Sequence, residues 1–159
     1  MSAARFVRLI VALAMVTNGA FAHELRAFDA KSVIAIRDAH AGKPFVLAFW
    51  SIRCAPCIED MADFVTLQSK SPNVAIVLVA TDTGADRDAA SQFLARYRLG
   101  RIETWGFADA FAERVRFAVD RSWRGELPRT YFYDAEHRAD VRTGRLDRRW
   151  TDEWFARQR

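Results

Sequence analysis

The sequence predicts an α/β fold, one mixed β-sheet with helices packed on both of its faces. Three observations carry that prediction. Phe45-Val-Leu-Ala-Phe-Trp50 and Val74-Ala-Ile-Val-Leu-Val-Ala80 are continuous apolar runs, the pattern of strands buried on both sides. A helical pattern lies between them, so the three segments form a β-α-β unit of about 35 residues, with parallel strands and a right-handed crossover. Further along, Thr130–Tyr133 and Arg138–Thr143 flank the turn Asp134-Ala-Glu-His137, which predicts a hairpin and so an antiparallel portion of the same sheet.

The elements follow in order. Arg5 and Arg8 precede the short apolar run Leu9–Val16, and Ala20-Phe21-Ala22 has the small-x-small form of a leader-peptidase site. Residues 1–22 therefore read as a cleaved signal peptide, with the mature chain starting at His23. Their run is short for a span of about 20 residues, although an uncleaved anchor stretched through Thr17–Ala22 is the alternative. Removing the leader leaves 137 residues, one domain's worth, and lowers the net charge from +4 to +2. That near balance speaks against nucleic acid as a partner. The late arginines, Arg138 to Arg159, alternate with acids and apolar residues and read as a solvated face; docking of an acidic partner is the other reading.

Ser32–Ala41 shows helical spacing at Val33, Ile36 and Ala39, with Gly42 as the stop. The helix after residue 57 carries Ile58, Met61, Phe64, Val65 and Gln68 on one stripe. Ala85–Leu99 reads as a helix with Ala89, Phe93, Leu94 and Tyr97 inward and Gly100 as its cap. Ile102–Trp105 has the look of a short strand and Phe111–Val119 of a short helix. Asp147 or Thr151 begins a last helix through Phe155. Trp105 and Trp123 are assigned to the core, the alternative being that, if exposed near Cys54, they form part of a substrate groove.

The chemistry lies in Cys54-Ala55-Pro56-Cys57, which holds the only two cysteines of the chain. They stand between a buried strand and a helix start. Unpaired N–H groups and the helix dipole there stabilise a thiolate at the first cysteine, and the second is within disulfide reach. An exported chain lives where disulfides persist, so a lone pair is useful there. A purely structural bridge closing so short a loop removes little chain entropy. Cys54 is thus the candidate nucleophile and Cys57 the resolving thiol. Arg53 is the adjacent cation that favours the thiolate.

Residues 30–157 resemble the thioredoxin superfamily, and within it the TlpA/ResA-like exported thiol–disulfide oxidoreductases. Phe49-Trp50-Ser51-Ile52-Arg53-Cys54-Ala55-Pro56-Cys57 is similar to the family's FW-x-x-W-C-x-P-C. Gly125-Glu126-Leu127-Pro128-Arg129-Thr130-Tyr131-Phe132 is similar to its G-x-P-x-T-[FY]. The segment between Ala80 and Trp123 matches the subfamily's helical insertion before the cis-proline strand. The resemblance implies a thioredoxin-like fold and catalysis by Cys54 and Cys57. It also implies a cis Pro128 that packs on the sulfur pair and offers backbone groups to substrate, with Leu127 touching the sulfurs. Asp60 stands where many relatives have a glutamate, and Glu126 lies beside the cis-proline; either is a candidate base tuning the thiols. Two departures stand out: Arg53 replaces the family's tryptophan, and Ala48 replaces a buried aspartate or asparagine. An apolar Leu127 opposes the thiolate that Arg53 favours, so the redox potential stays open. The export signal implies an extracytoplasmic compartment, most simply a periplasm, and a monomer without a cofactor is expected there. The resemblance further implies action on protein disulfide or thiol substrates with electrons drawn from a membrane partner, as a reductase sooner than an oxidase.

Other readings of the two thiols are weaker. His23, His40 and His137 are scattered, so a four-ligand zinc site is not suggested and no metal is expected. A Cu(I) chaperone using both thiolates is the competing class. Haem attachment needs histidine where Ile58 stands, and a peroxiredoxin-like pattern needs proline where Leu47 stands.

Overall fold

The computed structural model describes residues 23–108 and 111–158; the expected leader and its cleavage point lie outside them. The elements are β1 (Arg26–Phe28), α1 (Ser32–Ala39), β2 (Phe45–Trp50), α2 (Ala55–Lys70), β3 (Ala75–Ala80), α3 (Gly84–Leu94), β4 (Glu103–Phe107), α4 (Ala112–Val119), β5 (Arg129–Tyr133), β6 (Ala139–Thr143) and α5 (Arg148–Arg157). The strands form one sheet in the order β1-β4-β3-β2-β5-β6. The first four run parallel, and β5 and β6 run antiparallel to their neighbours. No helix among the described residues is long and apolar enough to cross a membrane.

Strand alternation sorts the core into two layers. In β2, Val46, Ala48 and Trp50 face a layer closed by α2, α3 and α5, with Met61, Phe64, Leu94 and Trp154. Phe45, Leu47 and Phe49 face the other layer, closed by α1 and α4 through Val33, Ile36 and Val115. All six β2 side chains are buried, which is why the run carries no polar residue. Each large side chain so buried contributes about 1.5–3 kcal/mol.

Four boundaries differ from expectation. β1 has no periodic signal, since only Phe28 of its three residues is buried. It forms by adding to the edge of β4, with Arg26 paired to Trp105. β4 runs Glu103–Phe107 rather than 102–105. α1 ends at Ala39, and Gly42 turns the chain in the left-handed region at φ 70°. α3 ends at Leu94, five residues early, so Gly100 caps no helix. Its inward face is Ala90 and Leu94, with Ala89 exposed. Leu99 and Ile102 both reach the core. A continued helix would carry Leu99 roughly 140° away from Leu94, off the buried face. The chain instead tightens into turns, Arg96 N–H to Phe93 C=O and Tyr97 N–H to Leu94 C=O. In α2 the buried stripe is Cys57, Asp60, Met61, Phe64, Leu67 and Gln68, with Ile58 and Val65 half-buried beside it. Trp105 and Trp123 are core, as expected. Asp147, not Thr151, caps α5 by accepting the Trp150 N–H at 3.0 Å.

Candidate active site

β2 ends at Trp50, and the chain turns through Ser51–Arg53 into α2. Cys54 is the N-cap of that helix: its sulfur accepts the Cys57 N–H at 3.3 Å. Pro56 occupies the first turn, where a missing N–H costs no hydrogen bond. A sixteen-residue helix thus directs its positive end and one N–H at the Cys54 sulfur. The two cysteines form a disulfide with a Cα–Cα separation of 5.2 Å. They differ sharply in access. Cys57 is 1 % exposed and belongs to the core, while Cys54 is half-buried at its edge.

A carboxylate the sequence reading did not single out holds the turn before Cys54. Asp82, buried just past the end of β3, accepts the Ser51 hydroxyl at 2.6 Å and the Ile52 N–H at 3.0 Å. The Ser51 Oγ in turn accepts the Arg53 N–H, and its carbonyl accepts the Cys54 N–H. The available signal was an acid directly following a buried strand, at the sheet pole where β2 delivers the cysteines. Arg53 is also held from this side. Its guanidinium makes two bonds to Asp86 of α3, at 2.5 and 2.7 Å. Asp86 offsets the charge, so Arg53 acts near Cys54 as half of an ion pair and not as a free cation.

The second wall of the site comes from β5. Phe49 pairs with Arg129, so the peptide before β5 emerges at the same pole as the cysteine turn. The Leu127–Pro128 bond is cis. Pro128 is buried, and half-buried Leu127 packs against both core layers, including the one that holds Cys57. Arg129 fixes this loop through Asp120 at 2.6 Å, Thr143 at 2.7 Å and the Tyr131 hydroxyl at 3.1 Å. Burial pushes the Asp120 carboxyl up, but bonds from Ser122, Arg129 and Tyr131 outweigh it and bring it to about 2. Burial raises the Tyr131 hydroxyl well above the usual phenol range.

The two candidate bases are in opposite states. Glu126 is exposed, and its own N–H and that of Arg124 hold its carboxyl below the usual range. Asp60 is 1 % exposed, one helical turn beyond Cys57 on the buried stripe of α2. Burial raises its pKa to about 6, against the Leu146 N–H at 3.2 Å and the Arg145 guanidinium at 3.6 Å. Ala48, on the same core face as Cys57, offers no carboxylate. Asp60 is therefore the buried acid nearest in sequence to Cys57 on that layer.

No protein-family model matches the sequence, and no curated protein matches it. Solved structures do match. A secreted Mycobacterium tuberculosis disulfide oxidoreductase homologous to E. coli DsbE superposes with a TM-score of 0.60 at 20 % identity, covering 76 % of this chain and 85 % of that one. The chain has a thioredoxin-like fold. A thiol:disulfide interchange protein of the thioredoxin family from Chlorobium tepidum gives 0.61 at 18 % identity, covering 77 % and 83 %. A DsbF homologue from Corynebacterium diphtheriae gives 0.61 at 15 %, covering 76 % and 75 %. The thioredoxin-like architecture of this chain includes the β4–α4 segment before the cis-proline strand.

Proposed function

We propose that the chain is an exported protein thiol–disulfide oxidoreductase that reduces disulfides with the Cys54–Cys57 dithiol. The observation that carries this reading is the unequal pair at a helix N-terminus: Cys54 is accessible and capped by an N–H, and Cys57 is enclosed behind it. Similar structures include a secreted disulfide oxidoreductase, which supports the compartment as well as the reaction.

The reaction balances without a cofactor. The Cys54 thiolate attacks one sulfur of a client disulfide, forming a Cys54–client mixed disulfide and releasing the other client sulfur as a thiolate, which takes a proton from water. Cys57 gives its proton to the Asp60 carboxylate and attacks the Cys54 sulfur. The Cys54–Cys57 disulfide closes and the second client thiolate leaves, to be protonated in turn. Two electrons pass from the dithiol to the client. A carboxylate whose proton affinity burial has raised takes the Cys57 proton at lower cost than an ordinary one. Glu126, held as an anion by its own loop, is the weaker candidate. Leu127 and Pro128 form the edge along which an extended client segment lies. A membrane-held dithiol donor returns the two electrons, and the protein works as a monomer.

The Cys57→Ser variant tests the reading: it should accumulate mixed disulfides through Cys54 that dithiothreitol releases. No trapped species, together with tight Cu(I) binding by the reduced wild type, would leave the copper chaperone as the function. Direction is read from the reduction potential. A value near about −270 mV supports a reductase, and one near about −120 mV a disulfide donor.

A further inference from the structure

We infer that the face of α4 beside the cis-proline loop is a docking shelf for an acidic, extended segment of the client, close to the disulfide to be reduced. The inference rests on the oxidoreductase reading for its purpose, and on the following geometry for its chemistry.

Helix α4 and the loop entering β5 lie flush. Gly125, at φ 107°, lies so close to the Arg116 guanidinium that a Cβ there would meet it at 3.6 Å. A cavity of about 190 Å³ opens between helix and loop, lined by Glu113, Arg116, Phe117, Arg121, Trp123 and Arg124. Its lining is cationic, three guanidiniums against one carboxylate. The nearby acids are engaged: Glu113 by Arg116, Asp120 by Arg129, and Glu126 by the Arg124 N–H. Arg121 and Arg124 form no ion pair among the described residues, while the third arginine of the lining, Arg116, pairs with Glu113. Arg121 and Arg124 thus stand together on one small surface with guanidiniums free of direct ion pairs among the described residues, and Glu126, whose carboxyl Arg124 and Arg129 help to lower, is the acid beside them.

The rest of the shelf suits a peptide. Phe117 is 57 % exposed with the Arg121 guanidinium over its ring at 5.2 Å, so an apolar side chain and an acidic one can be received together. Trp123 makes a fixed floor. Its indole N–H is bonded to the Glu126 carbonyl, and its ring packs 4.6 Å from Phe49 of β2. Arg124 stands four residues before Pro128. A client strand passing Leu127–Pro128 reaches the shelf within about 13 Å. Exposed pairs of this kind are individually weak, so their product is selection among clients and faster encounter.

The test measures binding first, with a pair of short labelled peptides of one core sequence, flanked by glutamates or by lysines, and serine in place of cysteine. At low ionic strength the glutamate peptide should bind about tenfold more tightly than the lysine peptide, and the preference should reverse in the Arg121→Glu/Arg124→Glu double variant and fade with added salt. Equal affinity for the two peptides overturns the proposal. So does a preference that survives the double reversal, or concentration-dependent dimerisation of the wild type that the reversal abolishes. Reduction of a small neutral disulfide is followed in parallel and should be unchanged in the double variant. Its absence from the wild type would overturn the oxidoreductase reading and leave the peptide result standing by itself.

Discussion

Asp60→Asn should make the protein more stable above neutral pH and impair its second chemical step. In the fold the carboxyl titrates at about 6, against an ordinary value of 3.8, because burial disfavours the anion. A folded-state pKa raised above the unfolded one means the folded protein holds the proton more tightly. The ionised form therefore costs stability. That cost is absent below about pH 4, grows between about 4 and 6, and is complete above it. A carboxyl that titrates about two pH units higher in the fold than in the open chain costs roughly 3 kcal/mol at pH 8. The amide removes the charge and keeps an oxygen for the Leu146 N–H; the help that Leu146 and Arg145 give the anion is already contained in the net rise to about 6. The gain is therefore up to about 3 kcal/mol at pH 8, or several degrees in Tm for a domain of this size. Thermal unfolding of the oxidised wild type and variant at pH 4 and pH 8 measures it. The reasoning fails if the variant is less stable at pH 8, or if the difference is the same at both pH values. Stopped-flow reduction supplies the functional half. Without an acceptor for the Cys57 proton, mixed-disulfide resolution should slow by about 10²-fold and lose its dependence on pH near 6.

Asp120→Asn should have the opposite pH signature. Its carboxyl is lowered to about 2, so its contribution of about 2 kcal/mol is present above about pH 4 and is lost as pH falls through about 2; urea unfolding at pH 7 and pH 2 separates the two states. Asp82→Ala removes both bonds to the Ser51–Ile52 turn and should cost about 1–3 kcal/mol, with a slower attack by Cys54 on a small disulfide, read by denaturation and by stopped-flow. Trp123→Ala empties the floor under the cis-proline loop and should cost about 3–5 kcal/mol in chemical denaturation.

The sequence was most legible where burial is two-sided. β2 and β3 face a core layer on each side, so their runs admit no polar residue and cannot be mistaken. α2 and the cysteine pair follow from the same unit. The cis-proline loop was placed by its motif. β1 was illegible because its reason lies 77 positions away, where Glu103 meets Arg26 and β4 supplies the edge. The early end of α3 is likewise a tertiary effect, set by the need to bury Leu99 and Ile102. At the site, Cys54, Cys57, Asp60 and Pro128 stood out by spacing or motif. The neighbours that hold them did not, because the Asp82–Ser51 and Asp86–Arg53 contacts join segments 31 and 33 residues apart.

The parallel addition of β1 to β4 also fixes where the chain enters the fold. β1, β4, β3 and β2 share one direction, and the cysteine turn follows the far end of β2. His23, whose ring bonds Thr104, therefore lies at the β1 edge of the sheet, three strands away from β2, with Thr104 level with Leu78 and Ala48. A dye or bead attached at that β1 edge stands to one side like a stem, and the flower on the cis-proline side stays open to a bulky folded client. A handle threaded into the 120–128 loop would stand in the doorway.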